Sequence, residues 1–281
     1  MYGKLYLCAT PIGNLEDITY RVLRILKEAD VIAAEDTRHS IKLMNHFDIR
    51  TPMTSYHEFN KYDKADTLIG MLKEGKTIAL ITDAGTPGIS DPGEVLVEKC
   101  FEEGIEVSSV PGPAACITAL TMSGLSTRRF AFEAFLPREK KERRRILEEL
   151  KNETRTIIIY EAPHHLRETL SELREALGNR RVTLCRELTK KHEEAHRVTL
   201  DELVSRFEAE DPLGECVLVI EGRPYREIIK EKEQEWLELS VDEHMNYYIQ
   251  QGINRKEAMK KVAKDRGVSK RDIYQHLIRE E

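Results

Sequence analysis

Residues 77–93 read Thr77-Ile78-Ala79-Leu80-Ile81-Thr82-Asp83-Ala84-Gly85-Thr86-Pro87-Gly88-Ile89-Ser90-Asp91-Pro92-Gly93. A short aliphatic run of the length of a buried strand, Thr77–Thr82, leads straight into a loop dominated by glycine and proline. Open α/β sheets bind their ligands at the carboxyl ends of parallel strands. Glycine there lets the backbone approach a ligand closely, and proline stiffens the path. The same arrangement recurs on both sides. Leu5–Thr10 reads as a strand and continues into Thr10-Pro11-Ile12-Gly13-Asn14, while Glu106–Val110 continues into Pro111-Gly112-Pro113-Ala114-Ala115. Three stiff loops at three strand ends outline one pocket. None matches GxGxxG or the Walker pattern, which disfavours a phosphate-cradling nucleotide site and points to a ligand gripped by backbone polar groups.

Further strands and helices follow from the periodicity. Val31–Ala34 is expected as a strand, with helices at Tyr20–Ala29, Ile41–Phe47, Lys61–Glu74 and Val95–Glu103. Strand–helix alternation implies a mostly parallel sheet. Beyond the proline pair at 111 and 113, strands are expected at Phe130–Leu136, Thr156–Tyr160, Arg181–Glu187, Arg197–Leu200 and Glu215–Glu221, with helices at Lys141–Lys151, His165–Leu177 and Asp201–Phe207. Their short connections suit a mixed sheet. The expected division is an α/β domain over 1–115, a second over 116–224, a linker or exposed helix over 225–240 and a helical module over 241–281. In the last, Val241, Met245, Tyr248 and Ile249 share a helical face. Asn254 with Glu257 resembles a capping box, Gly267 ends that helix, and Ser269 with Asp272 opens another. This is helix-turn-helix grammar, and a plain three-helix interaction module fits it too.

A chain of 281 residues with 40% hydrophobic and 33% charged side chains supports real cores and excludes disorder. Taken alone, the net charge of −6, from 44 Lys+Arg against 50 Asp+Glu, argues against a nucleic-acid binder. Its distribution reverses that. Arg138–Arg145 carries six basic and two acidic residues, and 252–279 carries nine basic and three acidic ones; such patches neutralise phosphates. No apolar run approaches the roughly 18 residues of a membrane helix, and no secretory leader is evident. Five widely spaced cysteines form no CxxC pair, as expected of a cytoplasmic protein. His192-Glu193-Glu194-Ala195-His196 is a literal HExxH, but a zinc site of that type requires a helix, and the interval between the flanking strands is short. No metal is expected.

The pieces Ala9-Thr10-Pro11-Ile12-Gly13-Asn14-Leu15, Ala34-Glu35-Asp36-Thr37-Arg38, Asp83–Gly93, Pro111–Ala115, Tyr160-Glu161-Ala162-Pro163-His164 and Arg186-Glu187-Leu188-Thr189-Lys190 together resemble the small-subunit ribosomal RNA methyltransferases of the tetrapyrrole methylase-like superfamily. The resemblance runs from about residue 3 to 222. Departures are His165, where an arginine is expected, and Ala195-His196-Arg197. The resemblance implies two α/β domains with S-adenosylmethionine (SAM) in the cleft between them, a homodimer, and 2′-O-methylation of a cytidine in 16S rRNA, naked or in the assembled small subunit. It places SAM on Pro11, Gly13, Asp83, Ala84, Gly85, Pro87, Pro113, Ala114, Ala115, Glu161, Ala162, Leu188 and Glu215.

A weakly acidic ribose hydroxyl profits from a base or from a group that stabilises the alkoxide. The charged candidates at strand ends are Glu35, Asp36, Glu161, His164, Glu187 and Lys190. RNA contacts are expected from Arg38, Arg186, Arg138, Lys140, Lys141, Arg143, Arg144 and Arg145, and in the tail from Arg255, Lys256, Lys260, Lys270 and Arg271. Two other functions compete: C-methylation of a tetrapyrrole, for which the basic segments serve no purpose, and a non-catalytic RNA-binding assembly factor.

Overall fold

A computed structural model describes residues 1–279, which form two compact units, 1–222 and 223–279. The first unit contains two five-stranded sheets. Strands β1 (Lys4–Cys8), β2 (Val31–Ala34), β3 (Met53–Ser55), β4 (Ile78–Ile81) and β5 (Glu106–Val110) are ordered β3-β2-β4-β1-β5, every pair parallel. Their alternation sorts side chains by face. Leu5, Leu7, Ile78 and Leu80 pack with helices α3 (Lys61–Lys73) and α4 (Gly93–Glu102), while Cys8, Ala79 and Ile81 pack with α1 (Tyr20–Glu28) and α2 (Thr37–His46). Because all five strands run the same way, every loop that leaves a carboxyl end emerges on one side. Strand β3 escaped the sequence reading because its three residues, Met53-Thr54-Ser55, carry no alternation.

The second sheet holds β6 (Phe130–Phe135), β7 (Thr156–Glu161), β8 (Arg181–Arg186), β9 (Glu194–Thr199) and β10 (Cys216–Ile220), ordered β6-β7-β10-β8-β9. Only β6 and β7 pair in parallel, so the sheet is mixed. One face is covered by α6 (Lys140–Lys151), α7 (Leu166–Leu177) and α8 (Leu200–Ala209). The other carries α5 (Ala115–Ser123), whose Cys116, Ala119 and Leu120 pack with Ile158, Val217 and Val219 of the sheet and with Ile12 from the loop after β1. That cluster binds the two halves into one body. Strand β9 begins at Glu194, earlier than the expected Arg197. Glu194 and His196 therefore lie on a strand, and the helical i, i+4 geometry of an HExxH motif is not formed.

In the second unit, residues 225–238, expected as a linker or exposed helix, form helix α9 (Tyr225–Glu238). Helices α10 (Val241–Gln250), α11 (Arg255–Asp265) and α12 (Lys270–Arg279) follow, burying Val241, Met245, Val262, Ile273 and Leu277 together. Ile249, expected on the buried face of α10, is 41% exposed, and His244 is buried in that helix instead. Its ring stacks on the single tryptophan, Trp236, at 4.0 Å, and its Nδ1 accepts from Arg266 Nε at 3.1 Å. Asp265 Oδ2 stands 3.4 Å from Nε2 and also accepts from the Tyr248 hydroxyl. Burial, with Arg266 acting in the same sense, pushes the His244 pKa below its usual value. A depressed folded-state pKa means that the stability is present above about pH 6.5 and is lost as pH falls towards the lower folded value. Trp236 fluorescence is therefore expected to report loosening of this unit as pH falls below about 6.5, and His244→Gln should remove the transition. An unchanged titration in that variant would assign the signal elsewhere.

Candidate functional site

The loops at the strand ends are laced to one another. Thr10 and Gly85 exchange backbone hydrogen bonds of 2.9 and 3.0 Å, joining the loop after β1 to the loop after β4. The Thr86 hydroxyl donates to the Pro113 carbonyl at 2.9 Å, joining the loops after β4 and β5. At the end of β2, Glu35 Oε2 accepts from the Thr82 hydroxyl at 2.6 Å, and the Asp36 amide donates to Asp83 Oδ1 at 3.2 Å. Within the long loop, the Asp91 carboxylate accepts from the Gly88, Ile89 and Gly93 amides and closes the turn, although burial pushes its pKa up. Gly85, at φ +90°, and Gly88, at φ +84°, hold backbone conformations that side chains disfavour.

These loops wall a cavity of about 460 Å³ together with the ends of β7 and β10 from the second sheet. Its lining includes Glu35, Asp83, Ala84, Gly85, Ala114, Ala115, Glu161, Ala162, Leu188 and Glu215, all singled out in the sequence. Among the described residues, four of the five non-glycine residues with positive φ line it or adjoin its lining in sequence: Ser90 lines it, Ala134 precedes its wall residue Phe135, and Glu187 and Thr189 flank Leu188. Backbone strain of this kind costs on the order of 1–3 kcal/mol per residue and gathers at ligand sites.

Other expected residues lie elsewhere. Pro11 and Gly13 line a smaller neighbouring cavity. Pro87 and Pro113 are outside the main lining, although the Pro113 carbonyl anchors Thr86. Asp36 caps α2, accepting from the Arg38 amide at 2.8 Å, and the Arg38 guanidinium holds its carboxyl at about 2. His164 is exposed against His165. Glu187 pairs with Lys190 at 3.1 Å and accepts from the Glu215 amide. Despite partial burial, these partners hold its carboxyl below the usual range, while Lys190 also binds Glu215 at 3.0 Å. Neither lines the main cavity, and their bonds tie the 187–190 turn to Glu215.

Two arginines expected on RNA are committed inside the protein. Arg186 donates to the Leu213 carbonyl at 2.9 Å and sits 3.4 Å from Glu194. The Arg143 side chain is only 14% exposed; its Nε donates to Glu172 at 2.5 Å and its Nη2 to the Thr169 hydroxyl at 2.7 Å. Thr169 in turn donates to Glu161 Oε2, and Glu161 Oε1 accepts from the Ala162 amide at 2.8 Å. Arg143 thus braces a cavity carboxylate from behind. Its neighbours Arg138, Lys140, Lys141, Arg144 and Arg145 remain exposed, as do Lys256, Lys260 and Arg271 in the tail.

Residues the sequence reading missed are Phe135, Tyr160 and Val217, which supply apolar wall, and Thr82, which faces Glu35. The Tyr160 hydroxyl accepts from the Cys116 amide at 2.9 Å, pinning the start of α5 to β7. The available signal was an aromatic placed directly before the Glu161-Ala162-Pro163 loop.

A parallel sheet and a mixed sheet closing over a cavity at strand ends define a two-lobed α/β protein with a small-molecule site between its lobes. The chain belongs to the Tetrapyrrole (Corrin/Porphyrin) Methylases, which it matches over residues 4–204, and within them to the ribosomal RNA small subunit methyltransferase I group. It is 54% identical to the Halalkalibacterium halodurans protein "Ribosomal RNA small subunit methyltransferase I" over 97% of this chain and 93% of that one. A Thermotoga maritima protein of the same name is 48% identical over 79% of this chain and 99% of its own length. Uroporphyrin-III C-methyltransferase from Thermus thermophilus, solved with S-adenosyl homocysteine, shares the fold at TM-score 0.55 and 18% identity, over 77% of this chain and 97% of that one. No described helix is long and apolar enough to cross a membrane.

Proposed function

We propose that the chain is an SAM-dependent methyltransferase that modifies the ribose 2′-hydroxyl of a cytidine in 16S small-subunit rRNA. The observation that carries the cofactor is the charge of the main cavity. Its lining has five carboxylates, Glu35, Asp83, Asp91, Glu161 and Glu215, and no lysine, arginine or histidine. Such walls repel phosphate and favour a ligand with positive groups, and SAM carries a sulfonium and an ammonium. Ile12, Leu188 and Val217 offer apolar surface for an adenine ring, beside backbone polar groups at 83–86, 114–115 and 162. A volume of about 460 Å³ falls within the roughly 300–1,000 Å³ of small-molecule sites. The residues present fit the group.

Bound there, SAM supplies an electrophilic methyl carbon. The protein's task is then alignment, because in-line placement of reacting atoms supplies most of the gain in such a transfer. The laced loops provide that rigidity. Burial, reinforced by Glu35, pushes the Asp83 carboxyl above its usual pKa, which suits it to accept a hydrogen bond from a ribose hydroxyl and to take its proton. Glu35 lines the cavity with one carboxylate oxygen engaged and Glu161 with both, and we assign them to holding the ligand.

The rRNA substrate rests on the relatives' names and on the exposed basic residues. We assign the exposed positive residues of α6 and the basic module, taken as 241–281, to gripping RNA. The chemistry is assigned to 1–115 and 116–224, which together contain the matched family segment, residues 4–204. The active form is a cytoplasmic homodimer. Labelled SAM offered to naked rRNA, assembled small subunits and a tetrapyrrole tests the reading. Label is expected in rRNA, in a dinucleotide that resists alkali, since a methylated 2′-oxygen cannot attack the adjoining phosphodiester. Label on a base or on the tetrapyrrole overturns it. So does absence of thermal stabilisation by saturating SAM, expected at about 2.7 kcal/mol at a hundred times its Kd; that result favours a non-catalytic assembly factor.

A further inference from the structure

The smaller cavity, about 290 Å³, has the opposite character to the larger one. His39, Lys42 and His46 line it from α2, and their spacing places all three on one face of that helix. Asp83 is its only acidic residue, and Pro11, Leu15 and Leu43 provide apolar surface. Thr82 and Asp83 line both cavities. His39 bears electrostatically on Asp83, partly offsetting the burial of its carboxylate.

We propose that this smaller cavity seats the acceptor nucleotide, with its phosphate against His39, Lys42 and His46 and its ribose hydroxyl hydrogen-bonded to Asp83. The assignment rests on the reading of the chain as an RNA methyltransferase and adds where the acceptor lies. Transfer between two bound molecules needs their reacting atoms about 3–3.5 Å apart, so the acceptor site must share a wall with the donor site. The shared wall is Thr82–Asp83. Charge separates the tenants: a phosphate is excluded from the carboxylate-lined cavity and favoured beside an ammonium and two imidazoles. The space suits one nucleotide with apolar faces for a pyrimidine, and it is small for a tetrapyrrole macrocycle.

The test uses the full chain carrying Lys42→Glu, or His39→Ala with His46→Ala, and Lys27→Glu on α1 as a charge-matched control. Affinity for naked small-subunit rRNA is measured by filter binding across a salt series, SAM affinity by calorimetry, and KM and kcat by methyl transfer. Lys42→Glu is expected to weaken RNA binding and raise the KM for RNA about tenfold, with SAM affinity unchanged. The salt slope should shrink by about one. The histidine pair should act in the same direction, and Lys27→Glu should change neither affinity. Unchanged RNA affinity in the α2 variants overturns the assignment, as does an equal loss in Lys27→Glu, which would indicate general surface charge. Wild-type protein that transfers no methyl to RNA overturns the methyltransferase reading itself, and the acceptor site falls with it.

Discussion

Arg143→Met is expected to cost about 2 kcal/mol of stability and to weaken SAM binding about tenfold, although Arg143 lines no part of the cavity. The guanidinium joins Glu172 to the Thr169 hydroxyl, and Thr169 is fully buried against Glu161. Without it, Glu172 loses its partner and the Thr169 hydroxyl loses the donor that fixes its orientation. Glu161 then faces the ligand with one oxygen less firmly held. Arg143→Lys should fall between, because an ammonium carries the charge without the planar fork that reaches both partners. Urea unfolding measures the first effect and calorimetry with SAM the second. Thr169→Val combined with Arg143→Met should cost less than the sum of the two, since both break one chain of bonds. Loss of RNA affinity alone, with SAM binding intact, would return Arg143 to the exposed basic surface expected from its sequence neighbours.

Gly112→Ala should reduce methyl transfer by roughly a hundredfold through displacement alone. A Cβ at this position would lie 2.6 Å from the Cβ of Ala9, which is fully buried. Ala9 follows β1 and Gly112 follows β5, strands paired up to Cys8 and Val110. The extra methyl must drive apart the two strand ends that carry the Pro11 and Ala114 loops, at a stability cost of about 1–3 kcal/mol. The close approach itself explains the glycine, without any appeal to unusual backbone angles. Ala9→Gly removes the obstructing methyl, so the double variant should recover much of the lost activity. Costs that simply add in the Ala9→Gly/Gly112→Ala protein would show that the collision is absent.

Much of the site could be read from the sequence because its parts are local. A strand followed at once by a glycine- and proline-rich loop is a short-range pattern, and the three loops found that way do meet at one cavity. Leu188 entered only through the family resemblance, and Glu161 through it and as a charged residue at a strand end; their own neighbours do not mark them as lining one cavity with Asp83. Arg143 failed because a basic run of six looks uniform along the chain, whereas a helix turns one of its members inward. In α6 that member faces α7, where Glu172 and Thr169 wait. The histidine on α10 was hidden for the converse reason: an apolar face was read from aliphatic residues, and His244 takes its place there through stacking on Trp236.

The sequence by itself determined the α/β fold class: strands, helices and stiff strand-end loops follow from periodicity and from the backbone preferences of glycine and proline. It also determined that positive charge is gathered in two segments despite a net charge of −6. The tertiary structure decided which charges face which ligand. Strand order brings Glu35, Asp83 and Glu161 to one cavity and leaves Glu187 and Lys190 bound to each other outside it. It also turns His39, Lys42 and His46 towards the far side of Asp83. Periodicity along a chain specifies the face of an element, and the neighbour across that face is specified only when the sheet is assembled.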